Sequence, residues 1–267
     1  MTLDDLRARG LVLLGCGKMG SAMLEGWLTG ALEPGHVWVR DPNPSDWLQG
    51  IDGLHLNEDL PRDPAMVLVA VKPQMMGDAL PELRDLGQGG TLFVSVAAGT
   101  PISAFEAALG KGTPVIRAMP NTPAAIGRGI TALVANTEGA PSLDLAEELL
   151  SAVGQTVRLE SEDQMDAVTA VSGSGPAYVF HLIDCLARAA EAQGLSSDLA
   201  MALAKATVGG AGQLAEDSPK DPATLREDVT SPGGTTKAGL DVLMGELPDL
   251  MIRTVAAAAD RSRELGR

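Results

Sequence analysis

A short apolar run, Leu11-Val12-Leu13-Leu14, leads into Gly15-Cys16-Gly17-Lys18-Met19-Gly20, and a helix-forming segment from Ser21 to Leu28 follows. Strand, Gly-x-Gly-x-x-Gly and helix, in that order, are the fingerprint of a dinucleotide site. Gly15 permits the tight turn, Gly17 lets backbone approach a pyrophosphate, and Gly20 lets the helix pack close on the strand. The helix start then offers unpaired N–H groups and partial positive charge, which makes Lys18 and Met19 phosphate-contact candidates. A chance glycine-rich turn is the competing reading, and the flanking strand and helix count against it.

The rest of the first half keeps that alternation. Strand candidates are Leu11–Leu14, His36–Val39, Met66–Val71, Thr91–Val96, Val115–Met119 and Thr131–Ala135, with Thr156–Leu159 closing the sheet. Several are unbroken blocks of Val, Leu and Ile, as parallel strands buried on both faces require. Helices are expected near 20–29, 75–86, 101–109 and 141–153. The fold class is therefore α/β, a doubly wound sheet over residues 1–160. From 161 to 267 the strand signals stop, and an all-α segment follows. Ser161 and Gln164 have the spacing of a capping box, Pro176 should kink the helix that follows, and Pro248 should start the last one. These helices are rich in Ala and Gly and apolar on more than one face, which points to a second subunit rather than a self-contained bundle.

Composition removes several functions. A net charge of −15 offers no basic stripe to nucleic acid. No apolar run is long enough for a membrane span. The acidic start Met1-Thr2-Leu3-Asp4-Asp5 is unlike a signal peptide, and Cys16 and Cys185 stand in no metal spacing, so a reduced, cytoplasmic protein is expected. His36, His55 and His181 share no helix face, so no metal site is expected.

Ligands of such sheets bind beyond the carboxyl ends of the strands. There the chain places Arg40-Asp41, then Ala70-Val71-Lys72-Pro73, Ala97-Ala98-Gly99 and Pro120-Asn121. Arg40 suits the 2′-phosphate of NADP, and Asp41 suits the ribose hydroxyls of NAD or is a turn former ahead of Pro42. The balance leans to NADPH, with NADH as the alternative. Lys72 is a cofactor contact or a surface lysine. Asn121, stiffened between prolines, either orients a nicotinamide carboxamide or is a turn residue.

Taken together, the chain resembles the pyrroline-5-carboxylate reductases. The resemblance is carried by Gly15–Gly20, Ala70–Gln74, Arg117–Pro123, Ala170-Val171-Ser172-Gly173-Ser174-Gly175-Pro176-Ala177-Tyr178 and Asp228-Val229-Thr230-Ser231-Pro232-Gly233-Gly234-Thr235-Thr236. It implies NAD(P)H-dependent reduction of Δ1-pyrroline-5-carboxylate to proline, by a Rossmann domain followed by a helical dimerisation domain. It further implies a homodimer with interleaved helical domains, the substrate beside the nicotinamide at that interface, and assembly of dimers into a decamer. By the same resemblance Asn57 touches the adenosine ribose region, and Thr236 holds the imine.

The second glycine loop suits a carboxylate substrate. Gly233 and Gly234 carry no Cβ, a helix N-terminus follows, and Ser231, Thr235 and Thr236 add hydroxyls. An ordinary N-capped turn is the competing reading. Neither a catalytic His nor a carboxylate pair stands out, which fits a reaction governed by placement. A reductase of another cyclic imine or of a hydroxy acid remains an alternative, though hydroxy-acid enzymes use a lysine that Val168–Gln193 lacks. A non-catalytic NADP-binding regulator is the other.

Overall fold

In the computed structural model, residues 1–86 and 89–266 are described, apart from the side chain of Pro73. Two compact units divide the chain: Met1–Gly173 with Ala258–Arg267, and Ser174–Ala257.

The first unit is built on one sheet. Its strands are β1 (Leu11–Leu14), β2 (Val37–Arg40), β3 (His55–Leu56), β4 (Met66–Val69), β5 (Leu92–Ser95), β6 (Val115–Met119), β7 (Gly129–Ala135) and β8 (Gly154–Arg158). They lie in the order β3-β2-β1-β4-β5-β6-β7-β8. The first six run parallel, β7 runs antiparallel to β6, and β8 parallel to β7. The sequence reading of a buried parallel sheet therefore holds up to β6 and is corrected at β7. A loop with one short 3₁₀ stretch, Thr122–Ile126, joins β6 to β7, and so brief a connection permits only a reversal. Every residue of β1, β4 and β5 is buried, as the unbroken apolar runs require.

Helices α1 (Leu3–Arg9), α2 (Lys18–Leu28), α3 (Asp46–Gln49), α4 (Met76–Glu82), α5 (Ile102–Leu109) and α6 (Leu143–Leu150) cover this sheet. Trp27 of α2 has no exposed surface, and its indole N–H donates to the Leu149 carbonyl at 2.9 Å. One side chain thus ties the helix behind the glycine turn to α6; burying an aromatic of this size typically contributes about 3–5 kcal/mol.

The expected capping box at Ser161 does not form. The Ser161 side chain caps nothing, and the Gln164 carboxamide oxygen instead accepts the Glu160 N–H at 2.9 Å, one residue too far back. After α7 (Met165–Val168) the chain widens into a π-turn, Thr169–Gly173, and α8 (Gly175–Ala192) starts afresh. Pro176 therefore does not kink a helix; it sits in the first turn of α8, where a missing N–H costs no bond.

The second unit is helical: α8, α9 (Ser197–Asp217), α10 (Pro222–Asp228) and the start of α11 (Thr235–Leu265). Ala187, Ala200 and Ala204 form its small buried cluster, where alanines let α8 and α9 approach closely. Much apolar surface stays uncovered in the single chain, including Phe180 at 63 %, Val242 at 70 % and Ile252 at 68 % exposure. Pro248 does not begin a helix. It lies inside the single long helix α11, which runs on through it. An interior proline costs roughly 3 kcal/mol in an isolated helix, and residues 241–253 around it are exposed in the single chain.

The last turns of α11 return to the first unit. Ser262 donates to the Asp166 carboxylate at 2.6 Å, and a Cβ on Gly99 would stand 3.4 Å from the Leu265 carbonyl. Gly99, Arg117, Glu162, Asp163, Asp166 and Arg263 line a polar cavity of about 290 Å³ there.

Candidate dinucleotide site and anion loop

The strand order reverses direction between β1 and β4, and a crevice opens beyond the carboxyl ends of the strands at that point. The glycine turn lies in this crevice. Gly15 has φ +88°, a conformation that disfavours any side chain. A Cβ on Gly20 would fall on the carbonyl oxygen of Gly15 and 3.3 Å from its carbonyl carbon. A Cβ on Gly17 would meet nothing within 4 Å, so Gly17 faces open space. Gly15 therefore sits in a left-handed turn, Gly20 in a close contact and Gly17 beside open space.

Gly17 is the N-cap of α2 and supplies no side-chain cap, and the helical ladder begins with Ser21 N–H donating to the Gly17 carbonyl at 2.8 Å. The amides of Lys18, Met19 and Gly20 precede that bond and have no helical acceptor. A cradle of free amides, open in front, fits a dinucleotide pyrophosphate.

Beside it lies a cleft of about 320 Å³ lined by Leu14, Arg40, Asp41, Asn57 and Val71 among others. Arg40 is held loosely, with Nη1 3.5 Å from the Asn57 carbonyl oxygen. Asp41 is held firmly: its carboxylate accepts the N–H groups of Cys16 at 2.7 Å and Asn43 at 2.8 Å. Asn57 uses its whole amide on Asp41, donating to its carbonyl at 2.8 Å and accepting its N–H at 3.0 Å. Cys16 is buried, and burial pushes its thiol above the usual range, with the Asp41 charge adding to the rise and the Ser21 hydroxyl opposing it. It is a packing residue, not a nucleophile.

Further along the crevice, Ala70 and Val71 are half-buried and Lys72 is exposed after β4. Pro73 starts a short 3₁₀ turn, but its side chain lies outside the described residues. Ala97 is buried, while Ala98 and Gly99 (φ +75°) are half-exposed after β5. Pro120 and Asn121 are buried after β6. Asn121 Oδ1 accepts the Ile130 N–H at 2.9 Å, and Nδ2 donates to the Ser172 carbonyl at 3.2 Å. The side chain therefore braces β7 and the π-turn. A Cβ on Gly173, the last residue of that turn, would meet the Met119 methyl, the movable end of a flexible side chain.

Sequence reasoning passed over one pair. Arg117, in β6, is buried and donates to Glu162 Oε1 at 2.8 Å, and the same oxygen accepts the Ile102 N–H at 2.9 Å. Pro101, the N-cap of α5, has no side chain to cap with, so Glu162 does so from a distance. A charged residue inside the apolar run Val115–Met119 was the available signal, since a buried charge needs a partner.

In the second unit, Gly233 has φ +74°, and a Cβ on Gly234 would fall on the Ser231 hydroxyl. Gly234 N–H donates to the Ser231 carbonyl at 3.0 Å, which closes the turn at the start of α11. Ala238 makes the first helical bond, to Gly234, at 3.3 Å, so the amides of Thr235, Thr236 and Lys237 precede the ladder. Ser231, Thr235 and Thr236 are exposed around these donors. The arrangement can hold a small carboxylate. Among the described residues no cluster of three metal-ligating side chains occurs, and no helix is long and apolar enough to cross a membrane.

Comparison with known proteins gives two family matches. Residues 162–265 match the pyrroline-5-carboxylate reductase dimerisation family, and residues 11–99 match the family described as NADP oxidoreductase, coenzyme F420-dependent. The chain is 38 % identical to the pyrroline-5-carboxylate reductase of Pseudomonas aeruginosa, over 96 % of each chain. It is 39 % identical to that of Pisum sativum, over 96 % of this chain and 95 % of the other. Among solved structures, a pyrroline-5-carboxylate reductase from Coxiella burnetii superposes with a TM-score of 0.91 at 34 % identity, covering 97 % of this chain and 99 % of that one. The Plasmodium falciparum enzyme, solved with NADP bound, gives 0.83 at 26 % identity, covering 97 % and 98 %.

Proposed function

The chain belongs to the pyrroline-5-carboxylate reductase family, and on that premise we propose how its residues carry the reduction of Δ1-pyrroline-5-carboxylate to L-proline, the last step of proline biosynthesis. It is an oxidoreductase of the C=N bond using NADPH, and it carries a dimerisation domain. The observation that carries the residue assignments is the presence of two separate glycine turns. Each opens a helix whose first amides are free, one at Gly15–Gly20 and one at Ser231–Thr236.

The amides of Lys18, Met19 and Gly20 hold the pyrophosphate, and Gly17 gives it clearance. Arg40 pairs with the 2′-phosphate in the cleft it shares with Asn57. Val71 lines the same cleft as Arg40, and the backbone of Ala70, Lys72 and Pro73 beside it, the Ala97-Ala98-Gly99 loop and Pro120-Asn121 continue the row of strand ends toward the nicotinamide. The dinucleotide supplies a hydride for the imine carbon. The Ser231–Thr236 turn binds the substrate carboxylate through the Gly233 and Thr235 amides and the Ser231 and Thr235 hydroxyls, while Gly234, its own N–H spent on the Ser231 carbonyl, closes the turn around it. Thr236 Oγ1 holds the ring nitrogen. A threonine hydroxyl is too weak an acid to protonate an imine at neutral pH, so the nitrogen takes its proton from solution and Thr236 positions it. Catalysis is mainly placement of the imine carbon.

The exposed apolar faces of α8, α9 and α11 support the homodimer, and the family resemblance supports a ring of five dimers. The unpaired Cys16 and Cys185 support a cytoplasmic location. The test follows NADPH absorbance with Δ1-pyrroline-5-carboxylate as substrate and identifies proline as product. Absence of oxidation, or equal turnover of a 2-hydroxy acid pair, would overturn the assignment.

A further inference from the structure

In dinucleotide enzymes an acidic residue after the second strand reads the ribose hydroxyls. Asp41 stands at that place, yet both its oxygens are turned elsewhere, one to the Cys16 N–H and one to the Asn43 N–H. Its main chain is fixed as well, because Asn57 grips both its N–H and its carbonyl. Asn57 does so from a left-handed backbone, φ 56°, the one non-glycine residue in that region among those described. A strained conformation persists only where its surroundings hold it.

The glycine turn is thus tied twice to the end of β2. Gly15 N–H donates to the Arg40 carbonyl at 2.8 Å, and the next amide, of Cys16, donates to the Asp41 carboxylate at 2.7 Å. Two consecutive amides of the turn are spent on the Arg40-Asp41 segment. The following ones, from Lys18 onward, remain for a ligand. The two amide dipoles also soften the Asp41 charge toward a neighbouring phosphate.

We infer that Asp41 is a positioning residue: its carboxylate anchors the glycine turn through the Cys16 amide and does not bind ribose, so that discrimination between NADPH and NADH falls to Arg40. The inference rests on the cofactor reading above. It fits a strand end that carries both charges, since one side chain faces the cleft loosely and the other is engaged in the turn.

The experiment measures NADPH and NADH binding to the full-length protein, its Asp41→Ala and Asp41→Asn variants, and cofactor KM and kcat for each. Asp41→Ala removes the bonds to both the Cys16 and Asn43 amides, and the loss of the one that reaches the glycine turn should weaken both dinucleotides by a common factor of about tenfold, more in KM than in kcat. Asp41→Asn, whose amide oxygen still accepts the Cys16 N–H, should recover most of it. Hydrogen exchange at the Cys16 amide should quicken in Asp41→Ala and not in Asp41→Asn. A loss confined to NADH, a gain for NADPH, or no change for either would overturn the inference. If the unaltered protein bound neither dinucleotide, the cofactor reading would fall. Cys16 exchange would still decide the anchor, and an unchanged rate in Asp41→Ala would refute it.

Discussion

Removing the Glu162 carboxylate should be among the costliest single changes in the first unit. The Arg117 side chain is 9 % exposed and that of Glu162 30 %, and their 2.8 Å contact is the ion pair joining β6 to the segment before α7. In Glu162→Ala the guanidinium stays buried without its counter-ion, a situation that typically costs about 3–5 kcal/mol. Partial exposure of Glu162 moves the expectation toward the lower figure, while the uncapped Ile102 N–H at the start of α5 adds about 0.3–1 kcal/mol. A net loss of about 3 kcal/mol corresponds to a fall of about 6–12 °C in Tm for a chain of this size. Urea unfolding at one fixed protein concentration measures it, because association also contributes to apparent stability. The double variant Glu162→Leu with Arg117→Met removes both charges and should regain more than half of the loss, since a matched apolar pair is often no worse than a buried ion pair. A Glu162→Ala loss under about 1 kcal/mol would refute the reasoning. So would a double variant as unstable as the summed single ones.

Thr236→Ala should lower kcat at least tenfold more than it weakens NADPH binding, measured by steady-state kinetics beside cofactor titration; equal losses would remove the positioning role. Arg40→Ala should raise the KM for NADPH about tenfold or more and leave that for NADH nearly unchanged, a bidentate phosphate contact being lost. Cys16 should resist iodoacetamide at pH 8 in the folded protein and react once guanidinium unfolds it, as peptide mass mapping would show. Because the folded thiol keeps its proton above the free value of 9.0, its share of stability is intact below that pH and is lost as pH climbs past it.

The sheet and the first glycine turn were legible because period and composition dictate them. An unbroken Leu11–Leu14 block has no polar face to offer solvent, and three glycines at fixed spacing serve three distinct steric needs. What stayed hidden depended on partners distant in sequence. β3 is two residues long and exists by pairing with β2, so no local pattern marks it. Pro248 reads as a helix start because proline is favoured in a first turn, and that local signal is the same when the helix, as here, runs through it. The role of Asp41 could not be separated from its neighbour Arg40 without knowing which amides face it. Helix α1 went unread, although Thr2 and Asp5 form there the capping box that Ser161 and Gln164 only imitate. Thr236 and its loop were legible by resemblance, and their backbone explains why two glycines stand there.

The closing turns of α11, from Ala258 onward, belong to the nucleotide-binding unit, seated by Ser262 on Asp166 and by Leu265 against Gly99. That unit is therefore not a continuous stretch of chain, and a ribosome cannot deliver it in one piece. At about 5–20 residues per second, several seconds pass between the emergence of Gly173 and that of its missing turns. Throughout that interval the Asp166 carboxylate lacks the Ser262 hydroxyl and the Gly99 loop lacks its cover. A nascent chain stalled before Ala258 would present the cell with an unfinished fold, open to proteases and to the tail of a neighbouring copy. Helical segment and sheet must then reach maturity together, the last residues made completing the first unit begun.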